Sequence, residues 1–510
     1  MDQRLIDDLR SDLSAASYTV ERVRGLWGET ADAALHRSNR VVAVRELDAR
    51  GRTTGEEPIA TLARLFILGL PSDAEAASLA LPSLGLDGAV ALGLVTVAAD
   101  GPVLPALDLR PYAWVDANGS GSWWIASDLG ELALGHELGE QHVLGVGGAS
   151  MTLSGIILPE RIGSALDLGT GCGIQALHLS RIADRVVATD ISERALELAA
   201  LNAGINGVDT IEFRLGSMFE PVAGERFDRI VSNPPFVITP RLEGVPSYEY
   251  RDGGLVGDAL VESVFRDAAA HLTEHGIAQF LGNWEYRYGA DGLQRVAGWI
   301  AGSEEAVDAW VIEREVQDPA EYAETWIRDG GTRQGTPDFE RLAAAWLEDF
   351  ATRSVSGVGF GYVLLRRTDS VQPMRRLERL HGQAGSNASG LGAHLAMCLA
   401  AHDWHAALDD AALLRERVTI ASDVTEERHY WPGDEDPTAM QLRQGGGLAR
   451  SIGLDTGLAG LVGACDGELS LGVIIDAIAQ LVEVDASGLR AELLPRVRDL
   501  LDDAILLPAN

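Results

Sequence analysis

Residues 165–180 read ALDLGTGCGIQALHLS, and this run decides the fold. Its apolar start predicts a buried strand that ends at Asp167-Leu168, and a helix begins near Ile174. Between them Gly169, Gly171 and Gly173 make a sharp turn. Glycines are needed there so that the backbone can turn tightly and a ligand can approach without Cβ atoms in the way. The helix start leaves free N–H groups facing that ligand. In open α/β sheets, ligands sit beyond the carboxyl ends of the strands, so the position of a site is predicted as well.

Working outward, further apolar strand runs stand at 185–189 (RVVAT), 228–232 (DRIVS) and 277–282 (IAQFLG). Helical segments separate them, such as Ser192 to Asn202 and Asp258 to Leu272. Val307–Val316 and Gly357–Arg366 read as a closing antiparallel pair. The alternation predicts an α/β domain over residues 146–370, a Rossmann-like, doubly wound, mostly parallel sheet. Residues 1–145 read as an N-terminal domain: amphipathic helix through Leu5, Leu9, Leu13, Val20, Val23 and Trp27, then a winged-helix-like run with a hairpin tip at Ala99-Asp100-Gly101. Residues 371–510 read as a C-terminal, mainly helical domain whose last part has a helix–turn–helix–strand, winged-helix-like pattern.

Two nucleotide ligands could use the glycine turn. A dinucleotide fingerprint, and with it a dehydrogenase, wants a third glycine where this chain has Ile174, and no carboxylate just before the turn. Asp167 stands two residues before the first glycine. An acid there suits a ligand carrying an ammonium and a sulfonium, which is S-adenosylmethionine. Thr170 lies within the same turn, and Asp190, ending VVATD, can accept hydrogen bonds from both ribose hydroxyls.

A second run, FDRIVSNPPFVITP, places Asn233-Pro234-Pro235-Phe236 directly after a strand and so on the same rim. An exocyclic amine or carboxamide nitrogen is a poor nucleophile, because its lone pair is delocalised. Accepting its two N–H groups localises that pair toward a methyl donor. The side-chain carbonyl of Asn233 and the main-chain carbonyl of Pro234 suit this task. Pro234 and Pro235 stiffen the loop that carries them, and Phe236 offers a face for a planar group.

With ALDLGTGCG, Asp190 and Asn233-Pro234-Pro235-Phe236 together, the chain resembles class I S-adenosylmethionine-dependent methyltransferases of the amino-methylating type, over about residues 145–370. The HemK-like group and its relatives that methylate adenine or guanine amines are the nearest likeness. The resemblance implies that Asp167 and the glycines hold the methionine part, Asp190 the ribose, and Asn233 with Pro234 the acceptor nitrogen. Ser217 stands where relatives usually carry an aspartate facing the adenine amine, a contact left to Ser217 and the main chain at Met218. Phe236 replaces the tyrosine of glutamine-methylating members. Gly145, Gly147 and Gly148 form a loop that either closes over the cofactor or only links two domains.

The 510-residue chain carries 76 acidic and 41 basic residues, a formal charge of −35, and the excess is spread along its length. Every basic residue is arginine. Without lysine, a Schiff base, a pyridoxal-phosphate linkage and a Walker P-loop are excluded. Cys172, Cys398 and Cys465 lie far apart with no CxxC pair, so no disulfide framework or zinc knuckle is predicted. No cleavable leader or bilayer-length apolar run is read, which predicts a cytoplasmic protein with no membrane partner. The acidity works against phosphate backbones, while winged-helix-like flanks work toward them. The acceptor therefore stays open between an RNA or DNA base and a glutamine of a protein such as a release factor. A small-molecule methyltransferase and a non-catalytic cofactor-binding scaffold are the alternatives.

No metal site is predicted. His271 and His275 are spaced four apart on a predicted helix but lack further ligands, and His402 and His405 have no carboxylate in register. Trp123, Trp124 and Trp284 read as core or interface aromatics, Cys172 as small filler. Tyr250-Arg251-Asp252-Gly253-Gly254-Leu255 is a candidate pocket-shaping segment.

Overall fold

The structure is a computed structural model of the chain and describes residues 2–54, 57–97, 101–134, 139, 141–241 and 253–509. It divides into two compact units. One comprises Met1–Trp114, Ser120–Ser154 and Glu160–His381; the other comprises Val115–Gly119, Gly155–Pro159 and Gly382–Asn510.

The first unit opens with α1 (Gln3–Ala15), α2 (Val20–Leu35), α3 (Val41–Thr54), α4 (Pro58–Leu62), α5 (Ala74–Ala80) and α6 (Gly85–Ala91). Leu9, Leu13, Val23 and Trp27 are buried, as their helical spacing predicts. Strands β1 (Val95–Val97) and β2 (Val103–Pro105) form the expected antiparallel hairpin, and its tip at Ala99-Asp100 lies outside the described residues. β3 (Leu107–Asp116) and β4 (Gly119–Asp128) make a second two-stranded sheet, followed by α7 (Glu131–Leu134) and α8 (Gly148–Ile156).

The main sheet contains β5 (Ile162–Leu168), β6 (Ala183–Asp190), β7 (Ile211–Leu215), β8 (Phe227–Ser232), β9 (Leu272–Arg287), β10 (Val307–Gln317), β11 (Val355–Arg367) and β12 (Arg375–Arg379). Its spatial order is β12-β10-β11-β9-β8-β5-β6-β7. Strands β5 to β9 pair in parallel, while β11 runs antiparallel to both β9 and β10. Crossovers are filled by α9 (Ile174–Ser180), α10 (Glu193–Ile205), α11 (Ala259–Asp267) and α12 (Gly292–Ala301). The predicted doubly wound sheet and its antiparallel closing pair are both present. The chain runs outward from β5 to β7 and returns with β8 on the other side of β5. The topological switch point, where such sheets bind ligands, is thus between β5 and β8. Two helices, α13 (Pro319–Asp329) and α14 (Pro337–Thr352), are inserted between β10 and β11.

The domain division read from the sequence at 145/146 and 370/371 differs from the division of the fold. The N-terminal helices share one core with the sheet's own helices: Leu9, Leu13, Trp27 and Phe66 cluster with Ile174, Leu177, Leu198 and Leu201. Polar pairing reinforces this. Asn202 of α10 and Asn206, which caps its end, turn their amides onto the backbone of β4, with Ala126 N–H to Asn202 Oδ1 at 2.7 Å and Trp124 N–H to Asn206 Oδ1 at 2.9 Å. At the other end β12 lies beyond residue 370 yet extends the sheet, pairing in parallel with β10.

His271 and His275 do not share a helix. His271 ends a 3-10 turn and hydrogen-bonds the Glu225 carbonyl at 3.2 Å, while His275 is in β9 with a φ of 62°. Trp123 and Trp284 are core aromatics as expected, buried at 8% and 0% exposure.

The second unit contains α15 (Gly392–Ala406), α16 (Asp410–Leu413), β13 (Val418–Ile420), β14 (Val424–His429), β15 (Ala439–Gln444), β16 (Ser451–Leu454), α17 (Thr456–Gly463), α18 (Leu471–Leu481), α19 (Ala486–Asp502) and β17 (Leu506–Pro508). β14, β15 and β16 form an antiparallel sheet, and β17 pairs with β13. The helices bury Leu461, Ile475, Leu493 and Leu501 in a core of their own. Among the described residues no helix is long and apolar enough to cross a membrane.

Candidate active site

The carboxyl ends of β5 and β8 meet in register, with Leu168 opposite Ser232 and Ser232 Oγ donating to the Leu168 carbonyl at 2.7 Å. The next residues are Gly169 and Asn233, so the glycine turn and the Asn-Pro-Pro-Phe run leave the sheet side by side. A cavity of about 450 Å³ lies over them. Gly169, Thr170, Gly171, Asp190, Ser217, Met218, Asn233, Pro234, Pro235 and Phe236 all line it.

The turn has left-handed backbone at Gly169, Gly171 and Gly173, with φ of 73°, 54° and 85°. An added Cβ at Gly169 or Gly171 meets nothing within 4 Å, so conformation alone demands those glycines. At Gly173 a Cβ would also stand 2.9 Å from that of Ala199. Gly173 lies behind the cavity wall and sets how closely α9 approaches α10.

Asp167 is placed differently from the direct ligand contact expected of it. It is 1% exposed and is not part of the cavity wall. Its Oδ2 accepts from Thr170 Oγ1 at 2.6 Å and from the Ala176 N–H at 2.9 Å, so it braces the turn from beneath and secures the start of α9. Burial pushes its carboxyl up to about 7, against the pull of those two hydrogen bonds. Its Oδ1 has no hydrogen-bond partner among the described residues. Asp190 does face the cavity. Its Oδ2 accepts from Gly171 N–H and its Oδ1 from Ser192 N–H, each at 2.9 Å, and each oxygen keeps a further lone pair. Burial raises its pKa also.

Asn233 Oδ1 is buried and has no hydrogen-bond partner among the described residues. A buried carbonyl left in this way costs stability unless an N–H donor reaches it. Phe236 is held by edge-to-face contacts with Trp326 at 6.1 Å and Phe360 at 6.4 Å. Met218 adopts a φ of 46°, which turns the Gly216–Met218 backbone along the cavity.

Several lining residues were not singled out from the sequence. Gln175 is 3% exposed; its Nε2 donates to the Ser150 carbonyl at 2.7 Å, while its Oε1 has no partner among the described residues. Trp326 and Asp329 come from the α13–α14 insert and His142 from the segment that leads into α8. Gly145, Gly147 and Gly148 line the cavity as well. Of the segment 250–255, Gly253 lines the cavity, and Tyr250, Arg251 and Asp252 lie outside the described residues. Cys172 is buried, and burial pushes its thiol up to about 11, which removes it as a nucleophile.

The donor set fits S-adenosylmethionine: a backbone turn free of Cβ atoms, an acid at the second strand end, and unpartnered buried oxygens on Asn233 and Gln175. Comparison with known proteins agrees. Residues 148–298 match the methyltransferase small domain, and residues 15–106 match a domain of unknown function, DUF7059. A ribosomal protein uL3 glutamine methyltransferase of Bradyrhizobium diazoefficiens is 36% identical over 152 residues, which cover 28% of this chain and 46% of that protein. A release factor glutamine methyltransferase of Xylella fastidiosa is 37% identical over 144 residues, covering 26% and 52% respectively. The chain thus spans about half the length of the curated relatives it matches. Among solved structures, a ribosomal protein L11 methylase from Lactobacillus delbrueckii subsp. bulgaricus aligns at a TM-score of 0.25 and 19% identity, over 44% of this chain and 81% of that one. Within the chain, residues 148–298 form a class I S-adenosylmethionine-dependent methyltransferase domain.

Proposed function

We propose that the chain is an N-methyltransferase that moves a methyl group from S-adenosylmethionine to the side-chain amide of a glutamine in a protein. The observation that carries this reading is the buried, unpartnered Oδ1 of Asn233, one residue past a strand end that is register-paired with the start of the glycine turn.

The cofactor supplies an electrophilic methyl carbon on a sulfonium. The chain's residues supply position and polarity. Gly169, Thr170 and Gly171 present backbone to the methionine part, braced from below by Asp167. Asp190 accepts the ribose hydroxyls, and Ser217 with Met218 borders the adenine. Asn233 Oδ1 and the Pro234 carbonyl accept the two amide N–H groups. That polarises the nitrogen lone pair toward the methyl carbon, as Phe236 packs on the amide plane. After transfer the nitrogen holds one proton too many, and loss of that proton to solvent restores the neutral amide.

A glutamine acceptor is favoured over a nucleobase because relatives of the domain bear glutamine methyltransferase names and the formal charge of −35 opposes phosphate. A cytoplasmic setting is in keeping with the buried free thiols Cys172, Cys398 and Cys465. The test is incubation of the full chain with methyl-labelled donor and a cell extract, followed by separate nuclease and protease digestion. Label released by protease and recovered as N5-methylglutamine supports the reading. Label released by nuclease, or found on small molecules, overturns the acceptor. Cofactor binding with no transfer to any fraction would leave a scaffold protein.

A further inference from the structure

We propose that the second unit holds a divalent transition-metal site, of the class Zn²⁺ represents, formed by His402, His405 and Asp502. Spacing alone gave the two histidines no third ligand, and the fold provides one. His402 and His405 lie on the last turns of α15, and Asp502 is the final residue of α19. Asp502 Oδ1 is 2.8 Å from His402 Nδ1 and 2.6 Å from His405 Nε2, and one potential ligand atom from each residue lies within 4.8 Å of the others. The imidazole planes are nearly perpendicular, at 79°.

Two imidazoles and one carboxylate suit zinc and its neighbours, and three protein ligands leave a position for water. His405 is buried at 6% side-chain exposure while His402 and Asp502 keep 22% and 27%, so the cluster is anchored on one side and open to an entering ion on the other. Binding shifts each imidazole's remaining proton to the ring nitrogen away from the ion. Each imidazole nitrogen that meets Asp502 would then become a metal ligand alongside that carboxylate.

Arg498 opposes this. It donates to the carbonyls of His405 and Leu408 at 2.7 and 2.9 Å, and it meets His405 Nδ1 at 3.3 Å. That last contact is the longest and is lost when Nδ1 carries the proton. Both carbonyl bonds remain. The guanidinium charge stays close, so removing it should tighten the site.

The test is calorimetric titration of chelator-treated full-length chain with Zn²⁺, with the visible absorption of added Co²⁺ as an independent probe of ordered ligands. One ion per chain is expected. His405→Ala and Asp502→Asn should each weaken it about tenfold or more. Arg498→Gln should strengthen it, and His36→Ala, at an exposed histidine, should change nothing. Zn²⁺ should also raise the thermal midpoint of the wild-type chain and not that of His405→Ala. A wild-type chain that takes up no stoichiometric Zn²⁺ and gives no Co²⁺ band overturns the proposal, even if a variant misfolds. So does binding that persists undiminished in a folded His405→Ala.

Discussion

Tyr322, on α13, accepts the main-chain N–H of Ile238 at 2.9 Å through its phenol oxygen, which also accepts from Asn283 Nδ2 at 2.9 Å. The phenol is fully buried and lies 84 residues along the chain from the loop it holds. Ile238 lies two residues after the Asn233–Phe236 run, so an insert between the last two long strands pins the loop that carries the proposed acceptor group. Tyr322→Phe would leave two buried donors unsatisfied, at a cost of about 1–3 kcal/mol. The loop should loosen while the glycine turn stays intact. The expected outcome is a fall in kcat with the Kd for S-adenosylhomocysteine unchanged, measured by single-turnover kinetics beside calorimetry. Equal losses in both would show a general defect of folding instead.

Asn233→Ala removes the unpartnered oxygen itself and leaves in place the Asp167 and Asp190 hydrogen bonds that hold the glycine turn. Loss of one preorganised dipole at a reacting centre costs about 10²–10³ in kcat. Donor affinity should stay within about twofold of wild type, since the interaction lost is one made to the acceptor. Methyl transfer at an undiminished rate would remove Asn233 from the mechanism.

The residues that could be read from the sequence are those whose neighbours are local. Ala165, Leu166 and Leu168 of SALDL and Ile230 and Val231 of DRIVS are buried in a parallel sheet and so cluster as short apolar runs, and the glycines after SALDL are demanded by φ. The half-exposed edge strands escape that signal: IEFRL at β7 and RRLER at β12 are too polar to stand out, so the sheet's extension by β12 beyond residue 370 was not read. The packing across residue 145 is hidden for another reason. A core shared between Leu9, Leu13 and Leu198 leaves no mark in any one segment. Within the site, Asp167 was legible as an acid at the right place, but not its downward engagement with Thr170 and Ala176. Trp326 and Tyr322 were invisible because contacts across ninety residues have no period.

Gln175 offers a sharper division of labour. Its Nε2 ties the start of α8 at Ser150, and its Oε1 has no partner among the described residues and stands at the cavity wall. Under the proposed function, Gln175 Oε1 is expected to accept the ammonium of the donor's amino-acid end, since Asp167 lies off the cavity wall. Gln175→Leu should weaken S-adenosylhomocysteine about tenfold, in line with one hydrogen bond to a charged group. Methylthioadenosine, which lacks the ammonium, should bind as before. Gln175→Glu keeps the acceptor and gives up the bond to Ser150, so its S-adenosylhomocysteine affinity should match or exceed wild type. If Gln175→Glu loses as much as Gln175→Leu, the Ser150 tie is the whole of its role.

Asp167 predicts a pH dependence of stability. Its carboxyl is pushed from 3.8 to about 7 by burial, so the folded chain keeps a proton that the unfolded chain has released. A raised folded-state pKa contributes stability fully below about pH 4, and that contribution is lost as pH rises to about 7 and is flat beyond. At about 1.4 kcal/mol per unit, the bound on the effect is about 4 kcal/mol. Asp167→Asn cannot ionise. It also keeps one carbonyl oxygen for the Ala176 N–H. The stability of the variant relative to wild type should therefore climb between pH 4 and 7 and level off above. Urea midpoints for both proteins from pH 4 to 8 measure this directly. Parallel curves across that window would mean that Asp167 is already ionised throughout, its charge held by the turn's own N–H groups.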